Sequence, residues 1–211
     1  MTDLKAIIFD CDGVLFQSHR ANLAYYNKIF AEFDAPLILD PHSKEAHICH
    51  TASSPVVLSS LMAKDDVEAA LRFSQSLDYR EFIPLMTEDS DLKPALKRLS
   101  ERFPLAVATN RGNSMHEVLE HFDIARYFKV VVTSRDVEKP KPAPEMLLLA
   151  ALHLGVLPCE CLFIGDSELD QMAALEGGVP FISFGASLKA RSSVQTHTEL
   201  IELLLKGIEL E

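Results

Sequence analysis

Asp10 and Asp12 stand two residues apart immediately after the apolar run Ala6-Ile7-Ile8-Phe9, with Gly13 next in the chain. On an extended backbone, residues i and i+2 share a face, so both carboxylates point the same way while Gly13 permits the turn beyond them. The bland alternative is a pair of turn-forming aspartates bonded to their own backbone. A second constellation, Thr109-Asn110-Arg111-Gly112, ends another apolar run. A hydroxyl, backbone N–H groups at the start of a helix and a guanidinium make a natural phosphate site; an N-cap and tight turn is the competing reading. Further on, Pro140, Pro142 and Pro144 alternate with Lys139, Lys141 and Ala143. They hold the backbone extended until Pro144 starts a helix and so fix where a lysine points, unless the loop is only a stiff surface segment. Finally, Gly165-Asp166-Ser167-Glu168-Leu169-Asp170 runs from an apolar stretch into a helix. Asp166 and Asp170 would bring two more acids near Asp10 and Asp12, which like-charge repulsion opposes without a cation. A hard divalent ion held by oxygen ligands, most simply Mg2+, answers that need; an acidic helix N-terminus favoured by the macrodipole is the alternative.

These residues need a scaffold that delivers strand ends to one place. Short apolar runs at Ala6–Asp10, Leu105–Thr109, Lys129–Val132, Cys161–Gly165 and Pro180–Phe184 alternate with helical patterns. That alternation predicts an α/β fold around a parallel sheet covered on both faces. Leu92, Ala95, Leu96 and Leu99, and then Met115, Val118, Leu119 and Phe122, repeat at i, i+3, i+4, i+7 and predict amphipathic helices. Ser114 with Glu117 has capping-box spacing, as has Thr196 with Glu199; Gly155 and Gly177-Gly178 are expected to end helices. The stretch from Gln17 to Met86 shows helical periodicity and no convincing strand. It is expected as a helical insert, residues 17–86, over the carboxyl ends of the strands, with 1–16 and 87–211 forming the sheet-containing core.

Composition narrows the partners. Among 211 residues, 48% are hydrophobic and 24% charged, as in ordinary globular proteins. Twenty Lys and Arg against 31 Asp and Glu give a net charge of -11 with no basic cluster, which disfavours nucleic acid and anionic membrane surfaces. No apolar run is long enough for a membrane span, and the N-terminus does not read as a signal peptide. Cys11, Cys49, Cys159 and Cys161 lack the spacing of a secreted disulfide framework, so a reducing cytoplasm is expected. Cys11 between two acids is a poor nucleophile, and Cys159-x-Cys161 reads as packing. His42, His47, Cys49 and His50 fit no common zinc spacing and are expected at the surface or facing substrate.

Taken in order, Asp10-x-Asp12-Gly13-Val14-Leu15, Thr109-Asn110, Lys141-Pro142-x-Pro144-Glu145 and Gly165-Asp166-Ser167-x-x-Asp170 resemble the four motifs of the haloacid dehalogenase-like hydrolases. The resemblance spans nearly the whole chain and is greatest to the phosphoglycolate phosphatase and β-phosphoglucomutase branch. It implies a Rossmann-like core with a small helical type-1 cap, and a Mg2+-dependent phosphatase acting on a small-molecule phosphate ester. By the same resemblance, Asp10 would be the nucleophile that forms an aspartyl phosphate and Asp12 the acid and base. Thr109, the Asn110 backbone and Lys141 would hold the phosphoryl group. Asp10, the Asp12 carbonyl and Asp166 would ligate Mg2+, with Asp170 in or just outside that shell. Lys139 also precedes a proline; Lys141 is preferred because Glu145 then falls at the family's acidic position. The Met86-Thr87-Glu88-Asp89 segment lacks the Pro-Gly of many relatives. A phosphomutase, sharing the aspartyl phosphate, is the alternative, and a non-catalytic phosphate-binding module a more distant one. Dehalogenation has no use for an acid at Asp12. The oligomeric state stays open.

Overall fold

The structure, a computed structural model, describes residues 4–185, 188 and 192–205. Six strands form one sheet: β1 (Ala6–Phe9), β2 (Leu105–Thr109), β3 (Phe128–Thr133), β4 (Cys161–Gly165), β5 (Phe181–Phe184) and β6 (Ser193–Val194), in the order β3-β2-β1-β4-β5-β6. Every pairing is parallel, with Ile8 of β1 opposite Ala106 of β2 and Phe163 of β4. Because the chain leaves β1 toward one side and later returns to the other, the helices part beyond its carboxyl end and open a crevice there.

The sheet is coated on both faces. Ile7 and Phe9 pack with Leu92, Leu96 and Leu99 of α5 (Leu92–Ser100), Val118 of α6 (Ser114–His121) and Leu200 of α9 (His197–Leu205). Ala6 and Ile8, pointing the opposite way, meet Met146 and Ala150 of α7 (Glu145–Leu154) and Ala173 of α8 (Glu168–Gly177). Strand β3 departs from the expected fully apolar burial: Lys129 is exposed and Val130 and Val131 are partly so, because β3 is an edge. Strand β6, two residues long, was not expected, being too short to show a period.

Gly155 and Gly178 adopt left-handed φ values of 71° and 64° and cap α7 and α8, as expected. Thr196 Oγ1 accepts from the Glu199 amide at 3.1 Å, as its spacing predicts, while Glu199 reaches back to the amide of Gln195 rather than that of Thr196. The Ser114–Glu117 capping box does not form. Asn113 is the flanking residue and Ser114 already lies inside the first turn, where its hydroxyl cannot reach back to an amide two or three residues ahead. Helix α9 is fastened by Asp91, which accepts from Thr198, and by His197, which donates through Nε2 to the Val14 carbonyl at 3.0 Å.

Residues of the insert form α1 (His19–Glu32), α2 (Lys44–Thr51), α3 (Ser54–Leu61) and α4 (Val67–Ser76). Tyr26, Ile29, Phe30, Val57, Leu58 and Ala70 make a core of their own, apart from the two sheet faces. Tyr79, Phe82, Ile83 and Met86, the last part of the same stretch, instead join the sheet-side core. The two passages between helices and sheet lie side by side, where Gln17 and Thr87 exchange backbone hydrogen bonds of 2.9 and 3.2 Å. Among the described residues no helix is long and apolar enough to cross a membrane.

Leu96 is fully buried under the sheet and does not line the crevice. Leu96→Ala should therefore cost about 2–5 kcal/mol of stability, read as a lower urea midpoint, while leaving any Michaelis constant unchanged.

Candidate active site

A cavity of about 710 Å3 lies between the strand ends and the helical insert. From the sheet side it is lined by Asp10, Asp12, Thr109, Asn110, Arg111 and Lys141, and from the insert by Asn22, Tyr25, His50, Ser53 and Ser74. Lys141 Nζ donates to Asp10 Oδ1 at 2.7 Å, Asp170 Oδ1 at 2.6 Å and the Ala108 carbonyl at 3.1 Å, which uses all three of its protons. Asp170 Oδ2 accepts from the amide and hydroxyl of Ser167 at 3.0 and 2.5 Å, closing a capping box at the start of α8. Asp170 therefore caps α8 with one oxygen and meets Lys141 with the other.

Burial is the largest influence on Asp10 and raises its pKa well above the usual carboxylate range; Lys141 pulls it down, and Asp170, Asp166 and Asp12 push it further up. Asp166 is raised chiefly by burial, and Asp170 adds to the shift. Burial opposes the charge of Lys141, but Asp10 and then Asp170 raise its pKa above the ordinary lysine value. Ligand-capable oxygens of Asp10, Asp166 and Asp170 all lie within 4.8 Å of one another. An all-oxygen set with two carboxylates held above their ordinary pKa is the donor chemistry that a hard cation suits.

Asp12 lies in a different network. Arg111 donates from Nη2 to Asp12 Oδ1 at 2.7 Å and from Nε to Oδ2 at 2.9 Å, a two-point contact matched to the flat guanidinium. Ser18 Oγ and Asn22 Nδ2 donate to the same Oδ1. Burial alone would raise the Asp12 pKa; the charge of Arg111, then that of His50, and hydrogen bonds from Arg111 and Ser18 bring it to about 2. Arg111 lies 4.7 Å from the centre of the Tyr79 ring, and Tyr79 donates to Asn22 Oδ1 at 2.9 Å.

His50, on α2, stacks on His19 with ring centres 3.4 Å apart. Its Nδ1 faces Asn22 Nδ2 at 3.3 Å; its Nε2 is buried without a hydrogen-bond partner, 3.9 Å from Asp166 Oδ2. Asn110 Nδ2 joins the two sides of the cavity, donating to the Thr51 carbonyl at 2.9 Å and to that of Lys141 at 3.1 Å.

Residues 7–184 match the family described as haloacid dehalogenase-like hydrolase. The chain belongs to this family. A solved haloacid dehalogenase-superfamily hydrolase of subfamily IA from Geobacter sulfurreducens is 40% identical, with a TM-score of 0.82 over 95% of this chain and 99% of that one. A phosphorylated carbohydrates phosphatase of Thermotoga maritima is 29% identical over 178 residues, 83% of this chain and 82% of its own length. A phosphoglycolate phosphatase of Shigella boydii is 29% identical over 203 residues, covering 85% of this chain and 81% of its own.

In this haloacid dehalogenase-like hydrolase, Asp10, Asp12, Thr109, Asn110 and Lys141 line one cavity, and Asp166 and Asp170 approach Asp10 at its floor. Lys139 is exposed, and only its backbone amide is engaged, donating to Glu145 Oε2 at 2.9 Å. His42 and His47 are also exposed; of the histidine group only His50 enters the cavity. The guanidinium of Arg111, read from the sequence as a phosphate ligand, is turned to Asp12. Sequence reading missed Ser18, Asn22 and Tyr79, although Ser18, which precedes α1, and Asn22, in its first turn, are four apart and so fall on one side of that helix start.

The folded pKa of Asp12, about 2, lies below its ordinary 3.8, so the native state favours the ionised form. Its contribution is complete above that ordinary value and lost as pH falls through about 2. The stability difference between the wild type and Asp12→Asn should be flat from neutral pH to about pH 4 and shrink by on the order of 2 kcal/mol below that. Urea titrations at stepped pH measure it.

Proposed function

We propose that this chain is a Mg2+-dependent phosphatase that hydrolyses a small phosphate ester through an aspartyl phosphate on Asp10. The observation that carries this reading is the meeting of Asp10, Lys141 and Asp170 where the cavity reaches the strand ends, with a buried threonine and the start of α6 beside them. Residues 17–86 act as a cap on a catalytic unit built from 1–16 and 87–211. Phosphoglycolate and phosphorylated carbohydrates, named in the relatives, are the first substrates to test. Four free cysteines accord with a reducing cytoplasm.

In the first step an Asp10 oxygen attacks phosphorus, the bond to the leaving oxygen breaks, and that oxygen takes a proton from Asp12. In the second, water attacks phosphorus, its proton goes to Asp12, and the bond to Asp10 breaks to release inorganic phosphate. Thr109 Oγ1, the Asn110 amide and Lys141 Nζ receive the phosphoryl oxygens and offset the charge that spreads over them. Asp10, the Asp12 carbonyl and Asp166 would hold Mg2+, and Asp170, whose oxygens are engaged by Lys141 and Ser167, would stand beside them. When bound, the ion would supply positive charge to offset that of the phosphoryl group. Asp12 as it stands is ionised and ready for the second step; to serve the first, it must loosen from Arg111 and take up a proton from solvent.

Asp10→Asn keeps the shape and removes the attacking charge, so turnover of a phosphate-ester panel should vanish while the circular-dichroism spectrum and melting temperature persist. EDTA should abolish activity and Mg2+ restore it; full activity in metal-free buffer would contradict the site. Asp12→Asn should slow alkyl phosphates by about 100-fold or more and p-nitrophenyl phosphate much less, since a phenolate leaves without a proton. Equal losses on both would sink the acid role.

A further inference from the structure

Among the described residues lining the cavity, Arg111, Arg135 and Lys141 carry a fixed positive charge. Lys141 stands at the reacting end against Asp10 and Asp170, and Arg135 is exposed to water. Arg111 is buried as Lys141 is, with a side chain 5% exposed, but lies away from Asp10, 4.7 Å from the centre of the Tyr79 ring. Of its five N–H groups, Nε and one of Nη2 go to Asp12 and the other of Nη2 to Asn22 Oδ1 at 2.9 Å. Nη1 has one long contact, 3.4 Å to Ser114 Oγ. One edge of the guanidinium fork is therefore underused, on a residue that lines the cavity.

Resting on the phosphatase reading above, we infer that Arg111 is the receptor for a second anionic group on the substrate, and that this group draws Arg111 away from Asp12. The chemistry it fits is a planar or tetrahedral oxyanion with two oxygens on one side, a carboxylate or a second phosphate, at the far end of a short phosphate monoester. Both oxygens of Asp12 are now turned to Arg111, and Ser18 and Asn22 add to Oδ1. A leaving-group oxygen can approach Asp12 only after one of these donors gives way, and Arg111 is the one whose partner an anion can replace. The tail thus does more than tighten binding: it turns Asp12 toward the reacting end. Arg111 is then a positioning and specificity residue, acting on the reaction through Asp12.

Calorimetry with Mg2+ present compares 3-phosphonopropionate with propylphosphonate, a matched pair differing in the charged tail. The wild type should bind the first about 10- to 100-fold more tightly, and equal affinities overturn the inference. Kinetics then compare phosphoglycolate and propane-1,3-diol bisphosphate, which separate carboxylate from phosphate tails, with ethyl phosphate. An anionic tail should raise kcat as well as lower KM. Arg111→Gln should erase both preferences, and Arg111→Lys should recover the KM part alone. A uniform loss on every substrate would mean a structural role only and defeats the proposal. Should Arg111→Gln fail to fold, the wild-type ligand pair still decides. Tail-dependent binding without turnover of any ester would overturn the phosphatase reading and leave Arg111 as an anion receptor; turnover indifferent to the tail would do the reverse.

Discussion

Four carboxylates, Asp10, Asp12, Asp166 and Asp170, are gathered at one crevice with two buried cations, Lys141 and Arg111, between them. Buried like charges repel strongly where water cannot screen them, so the fold divides the acids. Lys141 takes Asp10 and Asp170, and Arg111 takes Asp12, which leaves Asp166 facing a histidine 3.9 Å away. Counted as full charges, the set is short of two positive ones. The shortfall falls on Asp10 and Asp166, the two acids whose pKa values are raised, and it equals the charge of one divalent ion.

Bringing those groups together constrains the backbone as well as the charges. A Cβ on Gly13, whose φ is +78°, would stand 1.9 Å from Asp166 Oδ2, and one on Gly165 would stand 2.5 Å from the Cβ of Asp170. Both contacts lie far inside van der Waals range, so these turns admit glycine alone without displacing an acid. Gly13 thus lets a carboxylate that follows β4 approach the end of β1, and Gly165 lets Asp170 of its own motif fold back over the end of β4.

What the sequence made legible follows from how local each feature is. The motifs at the ends of β1, β2 and β4 each occupy a few consecutive residues, so strand, turn and side-chain type appear together, and the α/β order followed from their spacing. Arg111 was visible as a cation near a phosphate site, but its partner Asp12 lies 99 residues away in the chain, and no local pattern encodes that pairing. His50 sat in a group of histidines with nothing to mark it from His42 and His47 except its place on the inner face of α2, which depends on how the insert packs. The two-residue β6 and the start of α6 were lost for a different reason: at the scale of one or two residues, period and capping signals carry too little information.

Asn22 shows how the insert is tied to the chemistry. Its amide oxygen accepts from Tyr79 and Arg111, and its nitrogen donates to Asp12 and faces His50 Nδ1, so all four of its hydrogen-bonding positions are in use. A carboxylate at this position could not donate to Asp12 or to His50, and a leucine would remove the partner of the Tyr79 hydroxyl, of one Arg111 N–H and of His50 Nδ1. The nitrogen of Asn22 can only donate, so in the neutral tautomer of His50 that this bond selects Nδ1 accepts and the proton is on Nε2, 3.9 Å from Asp166 Oδ2. One neutral side chain on α1 thereby fixes the orientation of Arg111, the oxygen that Asp12 presents and the tautomer of the histidine nearest the acidic floor. The insert is coupled to the strand ends through directed hydrogen bonds, so any motion of α1 must rearrange the partners of Asp12.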